Sequence, residues 1–245
     1  MNKILLIDKP TGWTSFDVVA KIRAEARKIS GNKKIKVGHA GTLDPFATGL
    51  LIVLIGNETK NQDSYMKQDK EYIATLRLGF MSTTGDPEGV ITAYTPRHSE
   101  FISEARGNKI SKQGQDDKPF LKDIEGVLQT FLGEIEQIPP IYSAIKIDGR
   151  RAYKLAREGK KPEMKPRGVT IYKLKIDSYI YPKLKIIINC SSGTYIRTLA
   201  EDIGKALRCG GYLTELRRIK IGNYSITKAS TIPEALLELS NSQLE

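Results

Sequence analysis

The stretch Gly38-His39-Ala40-Gly41-Thr42-Leu43-Asp44-Pro45-Phe46-Ala47-Thr48-Gly49 runs directly into the apolar block Leu50 to Ile55. Three glycines and a proline in twelve residues mark a tightly shaped loop, because glycine admits positive φ and proline fixes its own. The block that follows is too short for a helix and rich in branched side chains, so it reads as a central strand. The loop is not a phosphate cradle: the Gly-Lys-Ser/Thr ending is absent, and no strand leads into it with the right spacing. Its acidic side chain, Asp44, is held by Pro45 between the apolar Leu43 and Phe46. An ionised carboxylate in such surroundings has to be paired or hydrogen-bonded. A plain Asp-Pro turn accounts for the same residues.

A second stretch, Ser191-Ser192-Gly193-Thr194-Tyr195-Ile196-Arg197-Thr198-Leu199, joins a strand to a helix and puts Arg197 in the first helical turn. A cation there opposes the helix dipole. Arg197 is therefore read as facing a carboxylate, with Asp44 the candidate; the alternative is a surface arginine lying over the core.

Working outward, Lys3 to Ile7 reads as a short buried strand, and Thr14-Ser15 as caps of a helix over Phe16 to Ile29 that Gly31 ends. Glu71 to Gly79 alternates with Tyr72, Ala74, Leu76 and Leu78 on one face. Helical spacing returns over Leu121 to Leu132, Arg150 to Glu158 (a short basic helix), Tyr195 to Arg208 and Ile232 to Leu239. Val169 to Ile180 and Leu184 to Cys190 read as neighbouring strands, and Arg217 to Ile226 as a last one. Residues 95–119 are polar and aperiodic, which reads as a mobile surface insertion with His98 inside it. Mixed strands and helices without strict alternation give an α+β class: one domain, with a mixed, mostly antiparallel central sheet flanked by helices.

The composition excludes several classes. The 245 residues are 40% hydrophobic and 27% charged, with a formal net charge of +11, an ordinary globular balance. Leu50 to Ile55 is the longest apolar run, far short of the ~18 residues of a membrane span. Asp8 and Lys9 follow Met1 too closely for a secretory signal, so the reading is a cytoplasmic protein. Cys190 and Cys209 are the two cysteines and His39 and His98 the two histidines, which argues against a disulfide scaffold, a zinc ribbon or a histidine-rich metal centre. The charge is concentrated. Lys146 to Lys185 holds thirteen basic and four acidic residues, and Lys21 to Lys36 seven basic residues against Glu25. A solvated face would look like this, but Tyr142, Tyr153, Tyr172, Tyr179 and Tyr181 are interleaved with the first run. Cations for phosphates among rings for bases favour RNA or single-stranded nucleic acid.

Six motifs occur in order along the chain: Lys9-Pro-Thr-Gly-Trp-Thr-Ser15, the Gly38–Gly49 loop, Lys70-Glu-Tyr72-Ile-Ala, Pro139-Pro-Ile-Tyr-Ser-Ala-Ile-Lys146 with Gly149-Arg150-Arg151-Ala-Tyr153, Gly193-Thr-Tyr-Ile-Arg197, and Leu213-Thr-Glu-Leu-Arg-Arg218. Together, from residue 3 to about 226, they resemble the TruB family of tRNA pseudouridine synthases. The resemblance implies a pseudouridine synthase fold and the isomerisation of uridine 55 in the tRNA T-loop, with base flipping and with no cofactor or metal. It makes Asp44 the catalytic aspartate, attacking either the ribose anomeric carbon or the uracil ring, and Arg197 the cation that keeps it ionised. Tyr72 matches a tyrosine that stacks on the flipped base, Leu213 and Tyr195 line the pocket, and His39 enters the T-loop. Plain core packing is the alternative for Tyr72 and Leu213 and a bond to its own loop for His39, with the site roles preferred; for Lys9, strand-turn-helix packing explains the residue as well as a direct role.

Several expectations complete this reading. Residues 1–230 form the catalytic domain, with 139–165 a basic RNA-binding region in which Lys146, Arg150, Arg151 and Lys154 meet the RNA backbone. Residues 231–245 form a short helix and tail, and the nineteen residues after Ile226 are too few for the PUA-type domain of many bacterial members. In Ser82-Thr83-Thr84-Gly85-Asp86, Thr83 stands where some relatives carry an aspartate. The partner implied is the tRNA T-arm, with no membrane and no protein partner. The alternative is a non-catalytic tRNA-binding or folding protein that keeps the fold alone.

Overall fold

The computed structural model describes residues 1–95, 118–147, 149–160 and 162–241. The expected insertion at 95–119, His98 included, lies outside them except at its ends. The chain opens with β1 (Lys3–Lys9), α1 (Ser15–Ser30), β2 (Val37–His39), β3 (Thr48–Ile55), α2 (Gln62–Met66) and β4 (Lys70–Leu78). It continues through β5 (Phe80–Ser82), β6 (Ile91–Ala93), α3 (Leu121–Thr130), β7 (Gly133–Gln137), β8 (Lys146–Ile147), β9 (Arg150–Arg151) and α4 (Ala152–Arg157). The last third is β10 (Arg167–Ile180), β11 (Lys183–Cys190), α5 (Ile196–Ala206), β12 (Gly211–Ile221), β13 (Tyr224–Ser225) and α6 (Ile232–Asn241).

A nine-stranded sheet runs β1-β3-β12-β4-β11-β10-β7, with β2 added to β3 and β13 to β12. Its strand pairs are antiparallel except β3 with β12, so the mixed, mostly antiparallel α+β sheet is present. Alternation decides which side chains meet. Leu51, Val53 and Ile55 of β3 pack with Val18, Val19 and Ile22 of α1 and Ala235 and Leu239 of α6. Leu50, Ile52 and Leu54 project the other way, into a cluster with Ala40 and Ile221. The largest cluster joins Tyr72, Ala74, Leu76 and Leu78 of β4 to Leu184, Ile186, Ile188 and Cys190 of β11, covered by Ile124 and Leu128 of α3 and Leu199 and Ile203 of α5. Each fully buried Leu or Ile contributes roughly 1.5–3 kcal/mol of transfer free energy.

The helix after Thr14 starts where the caps imply. Thr14 Oγ1 accepts from the Asp17 amide at 3.0 Å and Asp17 Oδ2 from the Thr14 amide at 2.9 Å, a closed capping box; Gly31 ends it at φ +64°. Three expectations are corrected. The strand read over 217–226 is β12 over Gly211–Ile221, because shifts in register after Leu213 and after Arg218 break the alternation. The helix read over 150–158 begins at Ala152, since Gly149 turns at φ +79° and Arg150–Arg151 pair with Lys146–Ile147. A short strand, β2, does lead into the Gly38–Gly49 loop, paired with the far end of β3.

The parallel junction fixes where the site forms. Gly49 sits opposite Arg218 at φ +101°, and a Cβ there would lie 2.3 Å from the Arg218 carbonyl oxygen. Gly49→Ala is accordingly expected to cost at least about 3 kcal/mol in denaturant unfolding; a loss below about 1 kcal/mol would contradict this backbone approach.

Candidate active site

The loop that carries Asp44 is clasped by the turn between β1 and α1. Ser15 Oγ accepts from the Leu43 amide at 2.8 Å and donates to the Leu43 carbonyl at 3.1 Å. The Gly12 amide donates to the Pro45 carbonyl at 2.8 Å, and Thr11 Oγ1 to the Phe46 carbonyl at 3.3 Å. Fully buried Lys9 donates from Nζ to the carbonyls of Trp13 at 2.6 Å, Pro10 at 2.8 Å and Pro45 at 3.3 Å. The Ala47 amide closes a turn onto the Asp44 carbonyl at 3.1 Å. Asp44-Pro45 is thus a turn, and the same turn aims a carboxylate.

Arg197 meets that carboxylate as its helix position implies. Its Nε lies 3.0 Å from Asp44 Oδ2 and its Nη1 3.1 Å from Asp86 Oδ2. Nη1 also donates to the Thr84 carbonyl at 3.1 Å, and Nη2 to the Tyr142 carbonyl at 2.9 Å. Arg197 is 6% exposed. The Asp44 side chain is 34% exposed, and protein surrounds the rest. Burial therefore pushes its pKa above the ordinary value; the Arg197 charge opposes that and the neighbouring Asp86 adds to it.

Asp86 is the site residue that the sequence reading missed. Its carboxylate accepts from Thr84 Oγ1 at 2.5 Å and from the Glu88 amide at 3.0 Å, and it is almost wholly buried. The signal was available: an acidic residue directly after Gly85, in the segment singled out for Thr83. Thr83 itself is exposed and its hydroxyl accepts from the Val90 amide at 3.0 Å, pinning the turn.

Tyr72 and Leu213 share one buried cluster with Leu43 and Ala47, and Phe46 packs against it. The Leu213 amide donates to the Gly85 carbonyl at 3.1 Å, which ties β12 to the Asp86 turn. Burial pushes the Tyr72 phenol above its usual value, opposed by the Arg218 charge. Tyr195 precedes α5, and Gln137 brackets its backbone, accepting from its amide at 3.0 Å and donating to its carbonyl at 3.3 Å. Burial raises the Tyr195 phenol as well. His39 closes β2 with Nδ1 buried and, among the described residues, without a hydrogen-bond partner, so no bond from that atom to its own loop explains it. Burial, helped by Arg218 and Arg151, pushes its pKa down to about 4, leaving the ring neutral at physiological pH.

Lys146, Arg150, Arg151 and Lys154 lie exposed on the β8–β9 hairpin and α4. The hairpin is tied to the site: Arg197 binds the Tyr142 carbonyl, the Tyr153 amide binds the Ser143 carbonyl at 3.1 Å, and the Ala152 amide binds the Ile145 carbonyl at 2.8 Å. Arg150 is paired with Glu158. Among the interleaved tyrosines, Tyr142 and Tyr172 are exposed, whereas Tyr179 and Tyr181 pack against the large cluster. In the other basic stretch, Arg23 donates to the Val37 carbonyl at 2.9 Å and covers the Phe16 ring, so it serves the fold. Among the described residues no three His, Cys, Asp or Glu side chains group as metal ligands, and no helix is long and apolar enough to cross a membrane.

The chain matches the model of the TruB family pseudouridylate synthase N-terminal domain over 27–113 and 101–196, and that of the tRNA pseudouridylate synthase B C-terminal domain over 197–242. It is 45% identical over 225 residues to the tRNA pseudouridine synthase B of Parabacteroides distasonis, covering 92% of this chain and 88% of that relative. With the protein of the same name from Clostridium kluyveri it shares 43% over 226 residues, 92% of this chain and 69% of the other. Among solved structures, an H/ACA RNP bound to a substrate RNA containing 2'-deoxyuridine gives a TM-score of 0.64 at 24% identity, and a Cbf5-Nop10-Gar1 complex 0.65 at 24%. Both cover 98% of this chain, which spans about half of each of those chains, 54% and 55%; that likeness concerns the fold. Matched family models along most of its length and relatives this similar show that the chain belongs to the TruB family of pseudouridylate synthases.

Proposed function

We propose that this enzyme converts uridine 55 in the T-arm of tRNA to pseudouridine, with Asp44 as nucleophile. The observation that carries the reading is the 3.0 Å ion pair between Asp44 Oδ2 and the Nε of the buried Arg197. A carboxylate must be ionised to attack, and burial alone would protonate it; the guanidinium supplies the opposing charge. Relatives named tRNA pseudouridine synthase B at 45% identity support tRNA as the substrate.

In this reading the target nucleotide is flipped out of the T-loop, at a cost of about a few kcal/mol. His39, neutral and planar, enters the space left behind. The uracil lies between Tyr72 and the apolar wall of Leu213 and Phe46, with Tyr195 at the edge of the pocket. Asp44 attacks the ribose anomeric carbon or the uracil ring. The bond from uracil N1 to the sugar C1′ breaks, the ring turns while still held and its C5 bonds to C1′. The bond to Asp44 then breaks and frees the carboxylate, and C5 loses its proton as N1 gains one, so the net change is an isomerisation. Tyr72 acts by stacking, because a phenol whose pKa burial has raised stays protonated. Lys146, Arg150, Arg151 and Lys154 meet the RNA backbone from the hairpin that Arg197 anchors.

Asp44→Asn should reduce single-turnover pseudouridine formation on an unmodified T-arm hairpin by at least about 10³-fold while RNA affinity changes by less than about threefold; retention of turnover would refute the nucleophile. In the wild type, activity falls as pH drops through the raised pKa of Asp44, so the acid limb lies above that of an ordinary aspartate. Asp86→Asn removes a like charge and should move that limb to lower pH, read from single-turnover rates across pH. His39, with a pKa of about 4, should add no inflection near neutrality. Reversing the charges of Arg150, Arg151 and Lys154 together should weaken RNA binding and flatten its dependence on salt by about 0.7–0.9 per lost phosphate contact; unchanged affinity would remove the hairpin from the interface.

A further inference from the structure

Gln137 is a buried polar side chain that the reaction as described leaves without a task. It closes β7, is 2% exposed, and stands opposite Arg167 of β10 in the sheet. Both of its polar atoms go to one distant residue: Oε1 accepts from the Tyr195 amide at 3.0 Å and Nε2 donates to the Tyr195 carbonyl at 3.3 Å. Tyr195 is the cap residue of α5, with an extended backbone at φ −97° and ψ 105° and no hydrogen bond from its own side chain to the helix. At many helix starts an acidic or amide side chain three residues past the cap accepts from the cap's amide. Here that position is Thr198, whose hydroxyl donates to the Ile138 carbonyl at 3.4 Å. The hydroxyl before the cap, that of Thr194, donates to the Ser191 carbonyl at 2.9 Å. The start of α5 therefore takes from Gln137, on another strand, the bond that a local residue supplies elsewhere.

We infer that Gln137 is a positioning residue for the isomerisation: by holding both backbone groups of Tyr195 it fixes where α5 begins, and so holds Arg197 in register with Asp44 and Asp86. Arg197 is the second residue of α5, in the turn where helices fray. Its bonds leave little slack, with Nε 3.0 Å from Asp44 Oδ2 and Nη1 3.1 Å from Asp86 Oδ2, and such bonds weaken steeply as their geometry is lost. Two backbone anchors act beside Gln137, the Ile138 carbonyl on Thr198 and the Tyr142 carbonyl on Arg197 Nη2 at 2.9 Å. Both lie on the same segment after β7, and Gln137 joins that segment to α5 by a side chain. An amide matches the task because it offers one acceptor and one donor side by side, as the amide and carbonyl of Tyr195 require, and it brings no charge close to the ion pairs.

This inference rests on the proposed synthase reaction, and the pH dependence of the rate tests it. Besides burial, the groups that set the Asp44 pKa are Arg197, Asp86 and Lys9. Replacing Gln137 alters none of them chemically and acts on Asp44 through the place of Arg197. Arg197 holds the Asp44 pKa down, so loosening it lets that pKa rise, and the acid limb moves to higher pH, opposite to the shift expected for Asp86→Asn. Gln137→Met keeps the length of the side chain without either polar partner. Its single-turnover rate on a T-arm hairpin at pH 7 should fall by about 10–100-fold with RNA affinity within about threefold, and its acid limb should rise by about half a pH unit or more. A limb that stays in place, or a loss carried by affinity, would overturn the role and leave Gln137 a structural residue. If Gln137→Met does not fold, Gln137→Asn, whose amide sits one methylene short of Tyr195, takes its place with the same expected directions. A wild type that makes no pseudouridine refutes the proposed function instead. The Asp44 carboxyl is then titrated by carbon NMR in wild type and variant: a higher pKa in the variant supports the positioning role, and an unchanged one overturns it.

Discussion

The ion pairs of Asp44 and Asp86 both run through the guanidinium of Arg197, and the rest of the site is arranged around that fact. One cation between two buried carboxylates leaves an excess negative charge where burial disfavours it. The surrounding structure compensates by fixing positions rather than adding charge: Thr84 and the Glu88 amide hold Asp86, the turns at Lys9 and Ser15 hold the Asp44 loop, and Gln137 holds the backbone before α5. Removing such a cation would strand both acids in the interior, a change of about 3–5 kcal/mol.

Much of this was legible from residue order, and the reason differs by element. Arg197 was found because its place in the first turn of a helix is electrostatically unfavourable without an anion nearby, and the anion is there. Asp44 was found because a carboxylate between Leu43 and Phe46 needs a partner. β4 and β11 were found because their alternation is unbroken over eight or more residues. Asp86 was not: its segment was singled out, but for Thr83, and an acid directly after Gly85 points to the site only once the fold brings Arg197 to it. β2 and β7 were missed because three and five residues carry too little pattern, and pairing with a neighbour makes them strands. Arg218 was quoted for its motif but not for its burial, because nothing local distinguishes it from the exposed cations along the chain.

The basic surface also divides once the fold is known. Arg23, Lys9, Lys70, Arg197 and Arg218 spend their donors on backbone carbonyls, so a good part of the positive charge is structural. The cations left facing solvent include those of the β8–β9 hairpin and α4, where the peptide link from Arg197 through Tyr142 connects surface to site.

The parallel pairing of β3 with β12 joins residues near 48 to residues near 217, and it has a consequence for the order of events during synthesis. Asp44 is made early and the strand beside it late, so a growing chain holds this carboxylate long before the guanidinium and the central strand that complete its surroundings. Contacts this distant in sequence form slowly and only after local ones. No fragment ending before β12 contains the strand that completes these surroundings.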